Sequence, residues 1–366
     1  MNILFIGPYR QNDEWGRKSR SLLKTLHRPE HKVTSRPLFL STDPSYNAYA
    51  EPAEFVTSEE YDVLIQFALQ PSTVYAGNFS KRIGVFNSET IPYDIPLGNL
   101  TKELLMDEVW TDSPLIKQRT QDIINDYGYD TIVKAIPPFL DTTHLPPSNT
   151  NHIKLSDPSL KDKFVFYYIG NITEDKDGLK ETVIAYLNTF TNADPVGLII
   201  MPETQSDPAV LNSLLEECHA CIGERHYPTQ RAIIKGLMEE ASLEKRIALH
   251  IEGDCMVAPS YSIATNSLVL EGTLYGSCPI INKGNACYEW WGDEHFWGVE
   301  SFEEVCVDKN RPLPYRFTSG ETWHRPIIKS LEKTMKSAYI DKFKRDKKRA
   351  ANAKLFDYFK NTSLEV

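Results

Sequence analysis

Two charged residues, Lys176 and Glu271, have side chains that could bind a phosphate and a sugar, respectively. Lys176 lies on a loop after a strongly apolar segment, and its ammonium group could neutralise a phosphate. Glu271 lies about one turn inside a predicted helix, where its carboxylate could accept hydrogen bonds from sugar hydroxyls. The first backbone amides of that helix lack partners within it and could hold phosphate. These amides belong to Thr265, Asn266 and Ser267.

In the first half of the chain, Arg17 and Glu89 are placed to reach a ligand. Arg17 begins a predicted helix directly after the polar loop that ends at Gly16, and Glu89 lies on a proline-containing loop after a later strand. Ligand sites in parallel sheets lie beyond the carboxyl ends of the strands. Two alternatives stay open: Arg17 and Lys176 as solvated residues, and Glu89 as a loop carboxylate that caps a backbone amide.

The order strand, loop, helix recurs along the chain and predicts an α/β protein with parallel sheets. A polar, proline-containing stretch at 146–158 predicts a linker between two domains. After residue 326 we expect one or two long basic helices. Apolar runs predict strands at 2–7, 61–67, 82–86, 164–170, 196–201, 246–251 and 255–258.

The segment 254–281 resembles the nucleotide-binding motif of retaining glycosyltransferases with the GT-B fold, of the large family 4 type. The residues that match the motif are Pro259, Ser260, Glu271, Gly272, Gly276 and Pro279. Ile263 stands where the family has its first motif glutamate, which serves the donor sugar. The resemblance therefore implies nucleotide binding more directly than it implies sugar contacts.

Other segments resemble the same family in the expected order. Gly170, Lys176 and Gly178 match a phosphate-binding loop in which Asn171 replaces the family's arginine and Asp177 is inserted before the glycine. Gly16 and Arg17 lie where the family has a glycine loop near the donor phosphates and the acceptor. Glu89 begins a segment like one that faces the inter-domain cleft, and would touch acceptor or donor sugar.

The resemblance implies two facing Rossmann-like, doubly wound domains with a cleft between them. The expected divisions are an acceptor domain at 1–150, a nucleotide-sugar domain at 151–325, and basic helices at 326–366 that cross back to the first domain. Glu89 and Arg17 are the expected catalytic residues. The expected donor-binding residues are Gly16, Gly170, Asn171, Lys176, Ser260, Ile263, Thr265, Asn266, Ser267 and Glu271.

The activity implied is that of a retaining hexosyltransferase. It would move a sugar from a UDP- or GDP-sugar to a glycan, a lipid-linked acceptor or a modified nucleic-acid base, without a permanently bound cofactor. We expect no catalytic metal ion. The alternatives are a sugar-nucleotide epimerase and a catalytically degenerate sugar-nucleotide-binding protein. A carbohydrate-binding module also stays open, as does an NAD(P)-dependent enzyme, although the first loop lacks the G-x-G-x-x-G pattern.

Composition limits the class of protein. A chain of 366 residues with 41% hydrophobic and 25% charged residues predicts a substantial core, and a net charge of -10 argues against a wholly basic nucleic-acid-binding protein. No apolar run is long enough to predict a membrane span, and the apolar N-terminus is too short for a signal peptide. Six cysteines fit a reducing compartment. We therefore expect a cytoplasmic protein, with peripheral membrane association left open.

Two further features bear on partners. The segment 325–360 carries 12 basic and 4 acidic side chains, a net charge of +8, which predicts an anionic lipid or nucleic-acid partner unless it is only a solvated face. The pair Cys218 and Cys221, with His219 and His226 nearby, could suggest zinc. Because no second cysteine pair is present, we expect unliganded thiols there.

Overall fold

The computed structural model describes residues 1–11, 13–38, 52–58, 60–67, 77–86, 88–91, 106–143, 145, 158–203, 206–222, 232–238, 242–306, 320–362, 364 and 366. Three parts of the chain discussed above lie outside these ranges: the prolines that follow Glu89, most of the predicted linker, and His226. Among the described residues, no helix combines the length and the apolar character that a bilayer crossing requires.

The first domain is built on a parallel six-stranded sheet in the order β2-β1-β3-β4-β5-β6. Strands β1 and β3 are short and largely apolar because both of their faces are covered; Ile3 and Leu4, which lie on opposite faces of β1, are both buried. The strands are β1 (Asn2–Gly7), β2 (Lys32–Pro37), β3 (Val63–Phe67), β4 (Lys81–Val85), β5 (Glu108–Thr111) and β6 (Ile132–Ala135). The described helices of this domain are α1 (Glu14–Leu26) and α2 (Pro114–Asp126).

The second domain has its own parallel six-stranded sheet, in the order β12-β11-β10-β7-β8-β9. Its strands are β7 (Phe164–Gly170), β8 (Val196–Pro202), β9 (Ile233–Gly236), β10 (Cys255–Ala258), β11 (Ile280–Asn282) and β12 (Trp297–Val299). Its helices are α3 (Leu179–Thr189), α4 (Pro208–Ile222), α5 (Leu243–Glu252), α6 (Ser267–Leu274) and α7 (Ala286–His295). An antiparallel pair follows, β13 (Ser301–Val305) with β14 (Thr322–Pro326). Two separate sheets confirm the predicted doubly wound α/β architecture.

One predicted strand is wrong: residues 246–251 lie within helix α5. The run is short and apolar, and such a run fits a buried helix as well as a strand. The flanking residues are the signals that identify the helix. The Ser242 hydroxyl accepts a hydrogen bond from the Lys245 amide as the N-cap, and Gly253 follows the last turn.

The predicted basic helices are α8 (Ile328–Ile340) and α9 (Lys342–Asn361). Both pack on the second domain, α8 through Leu331 and Met335 and α9 through Leu355. Beyond α9, Leu364 and Val366 pack against the apolar cluster of the first domain.

Three basic residues of α9, namely Arg345, Lys348 and Arg349, donate hydrogen bonds to carbonyl groups at the C-terminal ends of other helices. The acceptors are Ala338 and Tyr339 at the end of α8, Asp293 and Phe296 at the end of α7, and Gly276 just after α6. Helix ends leave carbonyl groups without intrahelical partners and carry partial negative charge. Three of the 12 basic residues counted in this segment therefore have partners inside the molecule.

Candidate functional site

A polar cleft of about 250 Å³ lies between the two domains. It is lined by loops that follow the carboxyl ends of strands in both sheets, where ligand sites in open α/β sheets are expected. The cleft brings together eight of the predicted site residues: Arg17, Glu89, Gly170, Asn171, Lys176, Ser260, Thr265 and Asn266. The other four predicted residues, Gly16, Ile263, Ser267 and Glu271, are not among its lining residues.

The loop that carries Lys176 is held by close contact with the loop after β10. Gly178 adopts a left-handed conformation with φ of 75°, and a Cβ atom there would lie 2.5 Å from the carbonyl oxygen of Pro259. The Lys176 carbonyl accepts hydrogen bonds from the Tyr261 amide at 2.7 Å and from the Ser260 hydroxyl at 3.1 Å. Glycine is required at this point because both the positive φ and the close approach exclude a side chain. The backbone of Lys176 is therefore fixed at the wall of the cleft.

The ammonium group of Lys176 forms an ion pair with Glu89 from the first domain and lies 3.4 Å from the Glu174 carboxylate. Burial lowers the pKa of Lys176, and the charges of Glu89 and neighbouring carboxylates outweigh burial, so the net shift is upward. The carbonyl of Glu89 also accepts a hydrogen bond from the Ile263 amide at 3.1 Å. Lys176, which was predicted to bind phosphate, and Glu89, which was predicted to be catalytic, therefore form an ion pair across the cleft.

Backbone amides just before α6 and at its first residue donate hydrogen bonds to carboxylates of the first domain. The amide of Thr265 donates to Asp112 Oδ2 at 3.0 Å, and its hydroxyl donates to the same oxygen. The amide and the hydroxyl of Ser267 donate to Glu14 Oε1 at 2.8 and 3.0 Å. The Asn266 side chain caps the next two amides of the helix. Two of the three amides expected to hold phosphate, those of Thr265 and Ser267, therefore have anionic partners within the chain.

Arg17 is buried at the first-domain side of the cleft. Its Nη2 donates to Glu203 at 2.5 Å and to Glu14 at 3.1 Å. Its Nη1 has no hydrogen-bond partner among the described residues, which is a costly state for a buried donor. Burial alone lowers the pKa of Arg17, but the charges of Glu203 and Glu14 raise it overall. The free Nη1 of a charged guanidinium could therefore serve a bound anion.

Ile263 packs into an apolar contact between the domains. Its side chain is fully buried against Ile91 and Ile116 of the first domain. Its backbone is fixed as well, since its carbonyl accepts a hydrogen bond from the Ala286 amide at 2.8 Å. The surroundings of this side chain are apolar, and an isoleucine fits them.

Glu271 lies within the second domain, where both of its carboxylate oxygens accept hydrogen bonds from Arg246, at 3.2 and 3.3 Å. His250 Nε2 lies 3.7 Å from the same carboxylate. Burial raises the pKa of Glu271, but the charge of Arg246 outweighs burial and lowers it to about 2. Burial lowers the pKa of His250. Glu271 is therefore an ionised partner of Arg246 in this arrangement.

Asp177, the residue inserted in the phosphate-binding loop, also lines the cleft. Its carboxylate has no hydrogen-bond partner among the described residues. Burial raises the pKa of Asp177 to about 7, with the Lys176 charge opposing the shift and Glu89 and Glu174 adding to it. A carboxyl group with this pKa exchanges a proton near neutral pH.

The cleft as a whole carries more acidic than basic side chains. Its acidic lining residues are Asp13, Glu14, Glu89, Glu174, Asp177 and Glu203, and its basic ones are Arg17, Lys18 and Lys176. Sequence reasoning did not identify Glu14, Lys18, Glu174 or Glu203 as lining residues, nor Asp112 as a partner of Thr265. Each is an ordinary charged residue in a loop or near the start of a helix, so no local pattern marks it. An anionic ligand must either displace these carboxylates or neutralise them.

No protein-family model and no curated protein sequence matches this chain. Solved structures do match it. A glycosyltransferase from Rickettsia africae ESF-5 superposes with a TM-score of 0.59 at 12% identity, covering 98% of this chain and 94% of that one. The sucrose-phosphate synthase from Thermosynechococcus elongatus superposes with a TM-score of 0.54 at 13% identity, covering 98% of both chains.

The trehalose-6-phosphate synthase OtsA is a third match, with a TM-score of 0.55 and 10% identity over 76% of this chain. The present chain spans 64% of the length of OtsA. At these identities the likeness shows the fold alone. Two facing parallel-sheet domains with the same arrangement as these structures confirm the predicted GT-B fold.

Proposed function

We propose that this protein is a glycosyltransferase that uses a nucleoside-diphosphate sugar. The observation that carries the proposal is the inter-domain cleft, in which Lys176, Arg17 and the loop before α6 face one another. A departing nucleoside diphosphate needs fixed positive charge and hydrogen-bond donors. The ammonium group of Lys176, Nη1 of Arg17 and the Thr265 and Ser267 amides would supply them. The structural neighbours named as glycosyltransferases and as sugar-phosphate synthases support this reading of the fold.

Retention of configuration is the stereochemical course we propose. The diphosphate would leave from the face at which the acceptor hydroxyl attacks and would itself accept the proton of that hydroxyl. No enzymatic nucleophile is then needed. Glu89 would hold Lys176 in position and touch acceptor or donor sugar, and closure of the cleft would limit hydrolysis by excluding water. The donor is proposed to be a UDP- or GDP-sugar, and Glu271 is proposed to contact its ribose if Arg246 yields one carboxylate oxygen.

A degenerate sugar-nucleotide-binding protein is the second candidate. Two observations favour it: Ile263 in place of the motif glutamate, and first-domain carboxylates on the groups expected to hold phosphate. Such a protein would bind the nucleotide without turnover. A sugar-nucleotide epimerase would differ in releasing an altered nucleotide sugar without any acceptor.

Donor binding separates these candidates from unrelated ones. We expect a UDP- or GDP-sugar to raise the melting temperature of the full chain, whereas NAD should not. Lys176→Ala should weaken nucleotide binding by roughly 1.5–3 kcal/mol, the usual contribution of a charge-assisted hydrogen bond. Lys180→Ala is the matched control, since Lys180 pairs with Glu217 on the surface. Equal affinity in both variants would exclude Lys176 from the phosphate site.

Product analysis then separates transfer from binding. Incubation with the stabilising donor and a panel of glycan, lipid-linked and nucleic-acid acceptors should give a product heavier by one sugar, detected by mass spectrometry. An unchanged donor would favour the binding protein, and an isomerised donor would favour the epimerase.

The basic helix α9 could bring an anionic acceptor, a lipid or a nucleic acid, to the protein. The charge available for it is smaller than the sequence count, because Arg345, Lys348 and Arg349 bind carbonyl groups of the protein. The solvent-facing side of α9 keeps Lys342 and Lys347 beside Phe343, which is 80% exposed. We propose that this side contacts anionic lipid, and binding to anionic vesicles between low and physiological salt tests it. If the protein binds duplex DNA and not the vesicles, nucleic acid becomes the proposed partner in place of lipid.

A further inference from the structure

Three groups of the second domain that are suited to phosphate each contact a carboxylate of the first domain. Glu89 pairs with the Lys176 ammonium group, Asp112 accepts from Thr265, and Glu14 accepts from Ser267. We propose that Glu14, Asp112 and Glu89 form a carboxylate latch that occupies the phosphate-binding groups until a nucleoside diphosphate displaces it. The inference rests on the proposed function and adds a means of regulation within the same site.

The contact of Glu14 is the most direct part of this carboxylate latch. Its Oε1 accepts from both the amide and the hydroxyl of Ser267, at 2.8 and 3.0 Å. Ser267 is the first residue of α6, so the carboxylate sits at the N-terminal end of that helix. A carboxylate and a phosphate oxygen make the same kind of contact with such amides. One amide hydrogen cannot fully serve both, so the two anions compete.

Asp112 adds a second contact of the same kind. Its Oδ2 accepts from the amide and the hydroxyl of Thr265, two residues before Ser267 along the chain. The two carboxylates therefore cover neighbouring donors of one loop. A diphosphate carries two adjacent anionic groups and would need both positions.

The carboxylates have other partners in their own domain. Lys18 lies 3.1 Å from Asp112 and 3.9 Å from Glu14, and Arg17 donates to Glu14 at 3.1 Å. Release from the second domain would thus leave neither carboxylate as an isolated charge, which would otherwise be costly. The buried Nη1 of Arg17, which has no hydrogen-bond partner among the described residues, marks where an incoming anion would gain a contact.

Not every contact between the domains is part of the carboxylate latch. Ile91 and Thr322 exchange backbone hydrogen bonds at 2.7 and 3.2 Å, and Ile263 packs against Ile116 beside them. None of these residues supplies a donor that a phosphate would need. Displacement can therefore proceed by rotation of carboxylate side chains while this apolar contact stays in place.

A purely structural role for Glu14 and Asp112 and a role in the carboxylate latch predict opposite changes in nucleotide affinity when these residues are neutralised. If these carboxylates only hold the site together, their removal should loosen the cleft and weaken nucleotide binding. If they compete with phosphate, their neutralisation should tighten binding. The two interpretations therefore differ in the sign of one measured change.

The experiment is titration calorimetry of the full chain with UDP, GDP and inorganic pyrophosphate. Glu14→Gln, Asp112→Asn and the double variant are compared with the unaltered protein, each first checked for a cooperative thermal transition. We expect each single change to tighten binding about five- to tenfold, a typical size for coupling between competing contacts. Glu217→Gln, a surface carboxylate that pairs with Lys180, is the control for charge alone and should leave affinity unchanged.

The outcomes distinguish the two proposals. Tighter binding of pyrophosphate as well as nucleotide supports the carboxylate latch, as does binding that appears only in the double variant. Unchanged or weaker binding in the variants, with a nucleotide still bound by the unaltered protein, overturns the latch and leaves the proposed function standing. If the variants bind nucleotides more tightly but not pyrophosphate, the latch is also overturned. The gain in affinity would then come from a part of the nucleotide other than its phosphate groups. Absence of binding in every protein overturns both.

Discussion

At the scale of single residues, the charges of the cleft are already paired across the domain boundary. Lys176 pairs with Glu89, and Arg17 pairs with Glu203. Residue types suited to phosphate and sugar could be found from the sequence, since lysine after a strand and amides before a helix are local patterns. Their partners could not, because Glu14 and Ser267 meet only through the packing of two domains.

Asp177 should make folding stability depend on pH. Its pKa rises from 3.8 to about 7 on folding, so between these values the folded chain binds more protons than the unfolded chain. Stability therefore falls as pH rises through this window. Asp177→Asn should raise the melting temperature relative to the unaltered protein at pH 8 and have a smaller effect at pH 5. Asp175→Asn on the same turn is the control, and an equal effect of both variants at both pH values would contradict the assignment.

Glu271 should contribute strongly to stability whether or not it meets a ligand. Glu271→Gln leaves Arg246 as a buried charge without its carboxylate, which costs roughly 3–5 kcal/mol. Because the pKa of Glu271 is lowered from 4.5 to about 2, this contribution is complete above about pH 4.5 and shrinks as pH falls towards 2. Chemical denaturation at pH 7 measures it. Glu300→Gln, which breaks a surface pair with Lys283, should change the unfolding free energy by about 1 kcal/mol or less.

At the scale of elements, apolar runs predicted six of the twelve strands in the two parallel sheets, because buried parallel strands are apolar on both faces. Helix α5 was missed because its apolar run is as short as a strand, although Ser242 and Gly253 mark its ends. The loop containing Lys176 was located from Gly170 and Gly178. The reason that Gly178 is needed became visible only with Pro259 beside it.

Gly178 provides a test of that loop. Gly178→Ala must accept both a positive φ and a Cβ atom 2.5 Å from the Pro259 carbonyl oxygen. Gly276→Ala is the matched control, since Gly276 has φ of 90° but no atom within 4 Å of its Cβ position. We expect the control to lose about 1–2 kcal/mol of unfolding free energy from φ alone. Gly178→Ala should lose at least about 1 kcal/mol more, and also nucleotide affinity. Equal losses would mean that the loop yields without strain.

At the scale of the whole molecule, Ile263 shows how the joining of two domains constrains a motif position. A glutamate there would place a carboxylate among Ile91, Ile116 and the backbone of the first domain. The sequence alone could show the departure from the family pattern. It could not show what the isoleucine contacts.

Ile263→Glu should therefore not create the contact with the donor sugar that the motif glutamate makes in the family that the sequence resembles. We expect a lower melting temperature, from a burial cost of several kcal/mol for an unpaired carboxylate, and no gain in sugar transfer. Ile263→Leu keeps the volume and should change the unfolding free energy by less than about 1.5 kcal/mol. Differential scanning calorimetry with a transfer assay measures both. A stable glutamate variant with tighter donor binding would contradict the role of Ile263 as a contact between the domains.

The carbonyl contacts of α9 have a consequence for the order in which the molecule matures. Translation runs from the first residue onwards, so α6, α7 and α8 are synthesised before Arg345, Lys348 and Arg349 are joined to the chain. Until then, the ends of these three helices must be hydrated or bound by something else, and the helix that begins at Ser267 stays incomplete at its other end. A nascent or proteolysed chain that lacks α9 would expose these ends together with the apolar surface that Leu355 covers. That surface is what chaperones and proteases recognise, so cellular quality control would detect loss of α9 even with every residue of the cleft intact.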